Sequence, residues 1–126
     1  MIALENKRTT GDLFETKACK YIEEHNGKVI MRNFRCRQGE IDIIAIDEGY
    51  RAFIEVKYRT SDKYGEAAIA VDSHKQNKIC RVSDFYRKRY GIDEYTPIRF
   101  DVVTIDTDTF GAEIISWYKN AFEYIY

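Results

Sequence analysis

The stretch GEIDIIAIDEGYRAFIEVKYR, Gly39 to Arg59, constrains the fold of this chain more than any other. Two runs rich in Ile, Val, Phe and Tyr flank a short turn at Glu48 and Gly49, which is the pattern of an antiparallel hairpin. The run KVIMRNFRC leads straight into it, so three consecutive strands joined by short turns form a β-meander. A sheet of this kind needs cover on its apolar faces, and the rest of the chain supplies it. From Gly11 to His25, Phe14, Ala18, Tyr21 and Ile22 recur at helical spacing, and Asn26-Gly27 supplies the stop. A second helix runs from about His74 to Tyr90, with Ile79, Val82, Phe85, Tyr86 and Tyr90 as its apolar stripe and Gly91 as its end. After Pro97, IRFDVVTID reads as a fourth strand, and a fifth extends from Ala112 to about Tyr118. Between the meander and the second helix, TSDKYG reads as a loop and EAAIAVDSHK as a short helix or an extended lead-in. The order is helix, three strands, helix, two strands. Helices on both faces of one mixed five-stranded sheet make an α/β protein, a three-layer α/β/α sandwich.

A length of 126 residues suits a single domain, 1–126, with one apolar core and no need of staples. Hydrophobic residues at 44% and charged ones at 33% exclude intrinsic disorder. No apolar run reaches the roughly 20 residues that span a bilayer, and MIALENKRTTGD lacks the apolar core of a secretion signal, so a cytoplasmic protein with no membrane partner is expected. Cys19, Cys36 and Cys80 are scattered without a CxxC pair and read as buried reduced thiols. His25 and His74 fall in no HExxH or CxxH arrangement, so any catalytic metal must be held mainly by oxygen.

The hairpin also carries charges that a strand seldom holds without reason. Side chains alternate across a sheet, so Phe53, Glu55, Lys57 and Arg59 share one face while Ala52, Ile54, Val56 and Tyr58 share the other. On the preceding strand Glu40 and Asp42 alternate away from Ile41, Ile43 and Ala45, and hairpin pairing would bring Asp42 beside Glu55. Two carboxylates and an ammonium at a strand end suit metal-assisted phosphodiester hydrolysis. Mg2+ prefers oxygen ligands at about 2.0–2.1 Å and keeps several waters, so Asp42, Glu55 and a substrate oxygen suffice, with the Val56 carbonyl completing the set. The ion, Mg2+ or Mn2+, would neutralise charge at phosphorus and acidify water, and Lys57 would orient that water or stabilise developing charge. Acid-x-Lys alone decides nothing, since it also occurs at Glu5 to Lys7 and at Glu15 to Lys17; only Glu55 to Lys57 lies on a β-branched strand beside another carboxylate. A solvated Glu/Lys pair on an open sheet face, worth roughly a few tenths of a kcal/mol, fits the same pattern. Glu15 falls at the edge of the first helix's apolar stripe, where it would hold a second ion or accept a hydrogen bond from a basic neighbour.

The net charge of −1 hides a polar distribution. HKQNKICRVSDFYRKRY carries Lys75, Lys78, Arg81, Arg87, Lys88 and Arg89 against Asp84 alone, either as a solvated helix face or as a phosphate-binding surface weakened by salt. Arg59 first, then Arg35 and Arg37, are placed to clamp a phosphate or to pair with a neighbouring acid. Tyr21, Tyr86 and Tyr90 read as core, Trp117 as packing or a dimer contact, and Arg99 with Asp101 as a structural ion pair.

These residues form a longer string: Asn33-Phe34-Arg35, Gly39-Glu40-Ile41-Asp42, Phe53-Ile54-Glu55-Val56-Lys57-x-Arg59, Tyr64-Gly65, Lys75, Arg99-Phe100-Asp101 and Asn120-Ala121-Phe122. Nearly end to end, it resembles the YraN-like family of uncharacterised bacterial proteins. That family is similar in fold to the restriction-endonuclease superfamily, with its PD-(D/E)xK active site, and within it to archaeal Holliday junction resolvases. The resemblance implies that Asp42 matches the first acid, Glu55 and Lys57 the second acid and lysine, and Glu15 the helix acid of the resolvase branch. Ile41 stands where the motif's name has proline. Implied, then, is a metal-dependent nuclease acting on DNA rather than RNA, branched or structured. Because one scaffold can host unrelated or lost activities, two alternatives stand beside it: a nucleic-acid-binding module with no cleavage, using Lys75, Lys78, Arg35 and Arg59, and a homodimer or scaffold built on the tail ISWYKNAFEYIY.

Overall fold

The computed structural model describes residues 2–59 and 70–126, and of residues 2–10 the backbone. Among the described residues seven elements follow in order: α1 (Ile2–Glu24), β1 (Lys28–Cys36), β2 (Gly39–Asp47), β3 (Tyr50–Arg59), α2 (Ser73–Arg89), β4 (Ile98–Thr107) and β5 (Glu113–Phe122). The loop expected over 60–65, with its Tyr64-Gly65, and most of the lead-in that follows lie outside the described residues. Where the lead-in is described, Ala70 to Asp72 form no helix.

The five strands lie in sequence order in one sheet. Neighbours are antiparallel except β3 and β4, which run parallel and are connected by the crossover that contains α2. The chain is therefore α/β with a mixed five-stranded sheet. Side-chain alternation divides the core into two clusters. Ile44, Phe53, Phe100 and Val102 pack with Ile79, Cys80, Val82 and Tyr86 of α2, while Ile43, Ala45, Ala52, Ile54, Val103 and Ile105 pack with Phe14, Ala18 and Ile22 of α1. Burial of each large apolar side chain contributes about 1.5–3 kcal/mol, so either helix is held mainly by its stripe.

The helices differ from their sequence reading at their ends. α1 begins at Ile2, ahead of Gly11, because a glycine inside a helix weakens it by only about 1 kcal/mol and does not stop it. At its other end Asn26 takes the left-handed conformation, φ 74°, and the Gly27 N–H donates to the Ile22 carbonyl at 2.9 Å. Gly27 is required for its small size, since a Cβ there would lie 2.5 Å from Ile22 Cγ2 and 3.0 Å from the Trp117 ring. Gly27→Ala is expected to destabilise the fold by about 1–3 kcal/mol through overpacking, read as a lower urea midpoint. In α2 the Asp72 side chain caps the first turn by accepting from Lys75 N at 2.8 Å, and Gly91, at φ 60°, closes the last. Phe85 and Tyr90, expected in the core, are 42% and 45% exposed, at the rim where the stripe outruns the sheet. Tyr90 still lies 4.9 Å from the buried Tyr86 ring.

β5 runs four residues beyond Tyr118 because an irregularity lets it re-pair: Val102 faces Tyr118 but Phe100 faces Phe122. Within that irregularity Asn120 adopts φ 57° and donates its N–H to Asp101 at 2.9 Å. The tail then turns onto α2, where the Tyr124 hydroxyl donates to Asp84 and Arg81 donates to the Ile125 carbonyl. Phe122 and Tyr124 are thus engaged within the chain, while Tyr126 stays exposed.

At the hairpin end of the sheet sits a buried ionic cluster. Arg99 donates to Asp47 at 2.9 Å and to Asp101 at 2.8 Å, Lys119 reaches Asp47 at 2.8 Å, and Trp117 Nε1 donates to Asp101 at 2.9 Å. Arg99 and Asp101 are the structural pair their alternation suggests. Cys80 is buried, but Cys19 and Cys36 are only half-buried, and none forms a disulfide. Among the described residues no helix is long and apolar enough to cross a membrane.

Candidate functional site

The site is made by a fork in the sheet. The β2–β3 ladder runs from Asp47 opposite Tyr50 to Ile43 opposite Ile54 and goes no farther. Beyond that point β2 stays with β1 as far as Gly39 opposite Cys36, and β3 stays with β4 as far as Arg59 opposite Asp106. Strict alternation on β2 breaks at the same place. Ile41, expected with Ile43 and Ala45, joins Ile44 in the cluster under α2 instead. The parting strands leave polar backbone that must find partners, and Asp42 provides one: its Oδ2 accepts the Val56 N–H at 2.8 Å. Between the strands lies a cavity of about 290 Å3, lined by Glu40, Ile41 and Asp42 from one branch, Ile54, Glu55 and Val56 from the other, and Lys75 and Ile79 from α2.

Asp42 and Glu55 therefore share one cavity, across a fork instead of a paired ladder. Burial pushes the Asp42 carboxyl up to about 6; the Val56 N–H opposes this, and the negative charges of Glu15, Glu55 and Glu40 add to the rise. Glu55 is buried, with its side chain 9% exposed, and its Oε1 is paired with the ammonium of Lys75. Its Oε2 is buried with no hydrogen-bond partner.

Lys57 lies on the α2 side with Glu55, as alternation requires, yet its ammonium donates to the Ala70 carbonyl. Burial lowers its pKa, the Glu55 charge raises it, and Arg59 and Lys75 lower it further, leaving it below the ordinary lysine range. Glu15 comes from the opposite face. Phe14 stacks on Tyr58 of β3 at 3.8 Å, which sets α1 over the fork, and Arg32 of β1 pairs with Glu15 at 3.6 Å. That is an ion pair too long for a hydrogen bond, and Glu15 Oε1 is buried without one.

The other expected phosphate ligands are dispersed. Arg59 pairs with Asp106 at 3.3 Å, one strand from the cavity. Arg35 pairs with Glu40 at 3.0 Å, exposed at the rim of the cavity that Glu40 helps to line. Lys78 is exposed on α2, and Arg81 and Arg87 flank Asp84 at 3.5 and 3.9 Å, so part of the basic helix is neutralised internally. Lys75 is the residue whose place the sequence reading missed. It belongs to the cavity as Glu55's direct counter-charge, where alternation alone suggests Lys57. A signal existed: α2 is the crossover after β3, and such a helix starts beside the carboxyl end of its strand, where α/β proteins bind ligands.

The donor set suits a hard divalent cation. Glu40, Asp42 and Glu55 line the cavity; Glu55 has a buried oxygen that lacks a partner, and Asp42 lies under the repulsion of its acidic neighbours. Among the described residues no three His, Cys, Asp or Glu side chains are gathered closely enough to hold an ion. Mg2+ needs no such cage, because water and substrate oxygens commonly fill most of its coordination sphere.

Residues 14–105 match the family described as Uncharacterised protein family UPF0102, a span that includes Glu15, Asp42, Glu55, Lys57 and Lys75. The chain is 36% identical to a UPF0102 protein of Alcanivorax borkumensis over 97% of its own length and 98% of the relative's. It is 44% identical to one from Syntrophus aciditrophicus, covering 93% and 91%, and 42% identical to one from Colwellia psychrerythraea, covering 89% and 87%. Matches of this extent place the fork and its carboxylates inside the shared region, and the chain belongs to the UPF0102 family, the YraN-like family that its sequence resembles.

Proposed function

We propose that this chain is a metal-dependent nuclease with a restriction-endonuclease-like, three-layer α/β/α fold, hydrolysing phosphodiesters in branched or otherwise structured DNA. The observation that carries the proposal is the fork, which sets Asp42 and Glu55 on one cavity with a buried, unpartnered Glu55 oxygen. Asp42 and Glu55 would hold Mg2+ or Mn2+. When bound, such an ion offsets charge on the phosphoryl oxygens and makes water more acidic. The residues of the chain do the rest. Lys57, with an ammonium whose pKa burial lowers, is suited to orient a nucleophilic water or to steady negative charge as it develops. Val56 holds one Asp42 oxygen in place through its N–H, so the carboxylate is aimed before substrate arrives. Glu15, behind Asp42, adds negative charge and is steadied by Arg32.

A second reading is favoured by the Lys75–Glu55 pair, which already neutralises one carboxylate: a nucleic-acid-binding module without cleavage. Incubation of the purified protein with four-way junction, single-stranded, duplex and RNA substrates separates the two. Cleavage of the junction with Mn2+, and none in EDTA, is expected. Salt-sensitive binding without cleavage would leave the second reading, and no binding at all would remove both.

A further inference from the structure

Lys75 presents an ammonium where the proposed nuclease needs a cation. Its side chain is 56% exposed while that of Glu55 is 9% exposed, so a solvated stem delivers a charged tip to a buried oxygen. The backbone beneath it is fixed, because Lys75 N donates to the Asp72 cap. Movement of Lys75 therefore needs only side-chain rotation. Lys78 lies three residues on along the same helix, exposed, so a Lys75 ammonium that left Glu55 would join a second positive charge on the same side of α2. Charge balance gives the motion a cause. Two ionised carboxylates are half neutralised by one ammonium; a divalent ion neutralises both and repels the ammonium.

We infer that Lys75 is a tethered counter-ion that holds the cation position of the cavity in the metal-free protein, and that a divalent ion displaces its ammonium toward the phosphate of an incoming strand. The inference rests on the metal-site reading of Asp42 and Glu55, and it makes Lys75 a competitor of the metal as well as a ligand for nucleic acid. Lys57, docked on the Ala70 carbonyl, has no such exchange to make.

Mn2+ binding, followed by its electron paramagnetic resonance signal, tests both levels on the full chain. Lys75→Gln and Lys75→Met are expected to bind Mn2+ about tenfold more tightly than wild type, the effect of removing a competing charge worth about 1.4 kcal/mol. Asp42→Asn is expected to lose binding. Gln keeps an amide donor for Glu55, so it remains informative if the Met variant does not fold. In wild type, Mg2+ should also speed acylation of Lys75 by an amine-reactive reagent several-fold relative to exposed Lys88, read by mass spectrometry. Unchanged or weaker Mn2+ binding in both Lys75 variants, with wild type binding and Asp42→Asn not, would overturn the exchange and leave the metal site standing. Absence of Mn2+ binding in wild type and both Lys75 variants would remove the metal site and the exchange together.

Discussion

Replacing Asp42 by alanine is expected to lower Mn2+-dependent cleavage of a four-way junction by about a hundredfold or more, with junction affinity in EDTA changed by less than about twofold. The separation follows from where Asp42 lies. Its carboxylate lines a cavity formed by β2, β3 and α2, and in the proposed reaction it would hold the ion that acts on the reacting phosphate. On the proposed reading, phosphate affinity would come instead from exposed cations of α2 such as Lys78. Glu94→Ala is the matched control, since Glu94 is exposed in the turn between α2 and β4 and takes no part in the cavity, and it should leave the single-turnover rate within about twofold. Cleavage by Asp42→Ala at the wild-type rate would show that the activity resides elsewhere.

The same side chain should weaken the metal-free fold. In EDTA at pH 8, Asp42→Asn is expected to be more stable than wild type by about 2–3 kcal/mol in urea unfolding, because the amide can still accept the Val56 N–H and carries no charge. The sign follows from the direction of the shift. The folded carboxyl titrates at about 6, above its ordinary value of 3.8, so the folded chain holds this proton more tightly than the unfolded one. Below pH 3.8 both states are protonated and the charge carries no penalty. Between 3.8 and 6 the penalty grows, and above 6 it is full, at most about 3 kcal/mol for a shift of roughly two units and less for a group that solvent partly reaches. The advantage of Asp42→Asn should therefore vanish near pH 4. Saturating Mg2+ at pH 8 should reverse the order, since binding to the folded state stabilises wild type alone. A difference between the two proteins that does not change with pH would mean that Asp42 is not ionised against its surroundings.

What could be read from residue order alone was what depends on local pattern. The three meander strands match their expected ends because each ends at a turn with a defined backbone need: Asn26 at φ 74° before Lys28, and Glu48 and Gly49 at φ 53° and 83° between β2 and β3. Residues 2–10 of α1 lack the apolar spacing by which a helix announces a core-facing side, so their helicity left no periodic trace. The end of β5 was hidden because Asn120 in the left-handed region interrupts the period of two. For the site, Asp42 and Glu55 were predictable as cavity neighbours, but the means was not. Alternation assumes that paired strands stay paired, whereas β2 joins β3 only from Ile43 onward and Asp42 replaces a lost backbone partner. Nor does residue order say which of two lysines neutralises Glu55, because Lys75 is twenty residues away and arrives through the crossover.

The buried ionic cluster and the fork stand at opposite ends of the same strand, one end pinned and the other parted from β3. Arg99 and Lys119 hold Asp47 at one end of β2, and Asp42 lies five residues away, about 17 Å along an extended chain. Between them the ladder with β3 fixes Ile43 to Asp47, so the part of β2 that can shift against β3 is Gly39 to Asp42, and a shift of only about 0.3–0.5 Å there would match the difference between the ligand distances of Mg2+ and Ca2+. Discrimination among divalent ions would then be governed by the stiffness of a joint that no ion touches.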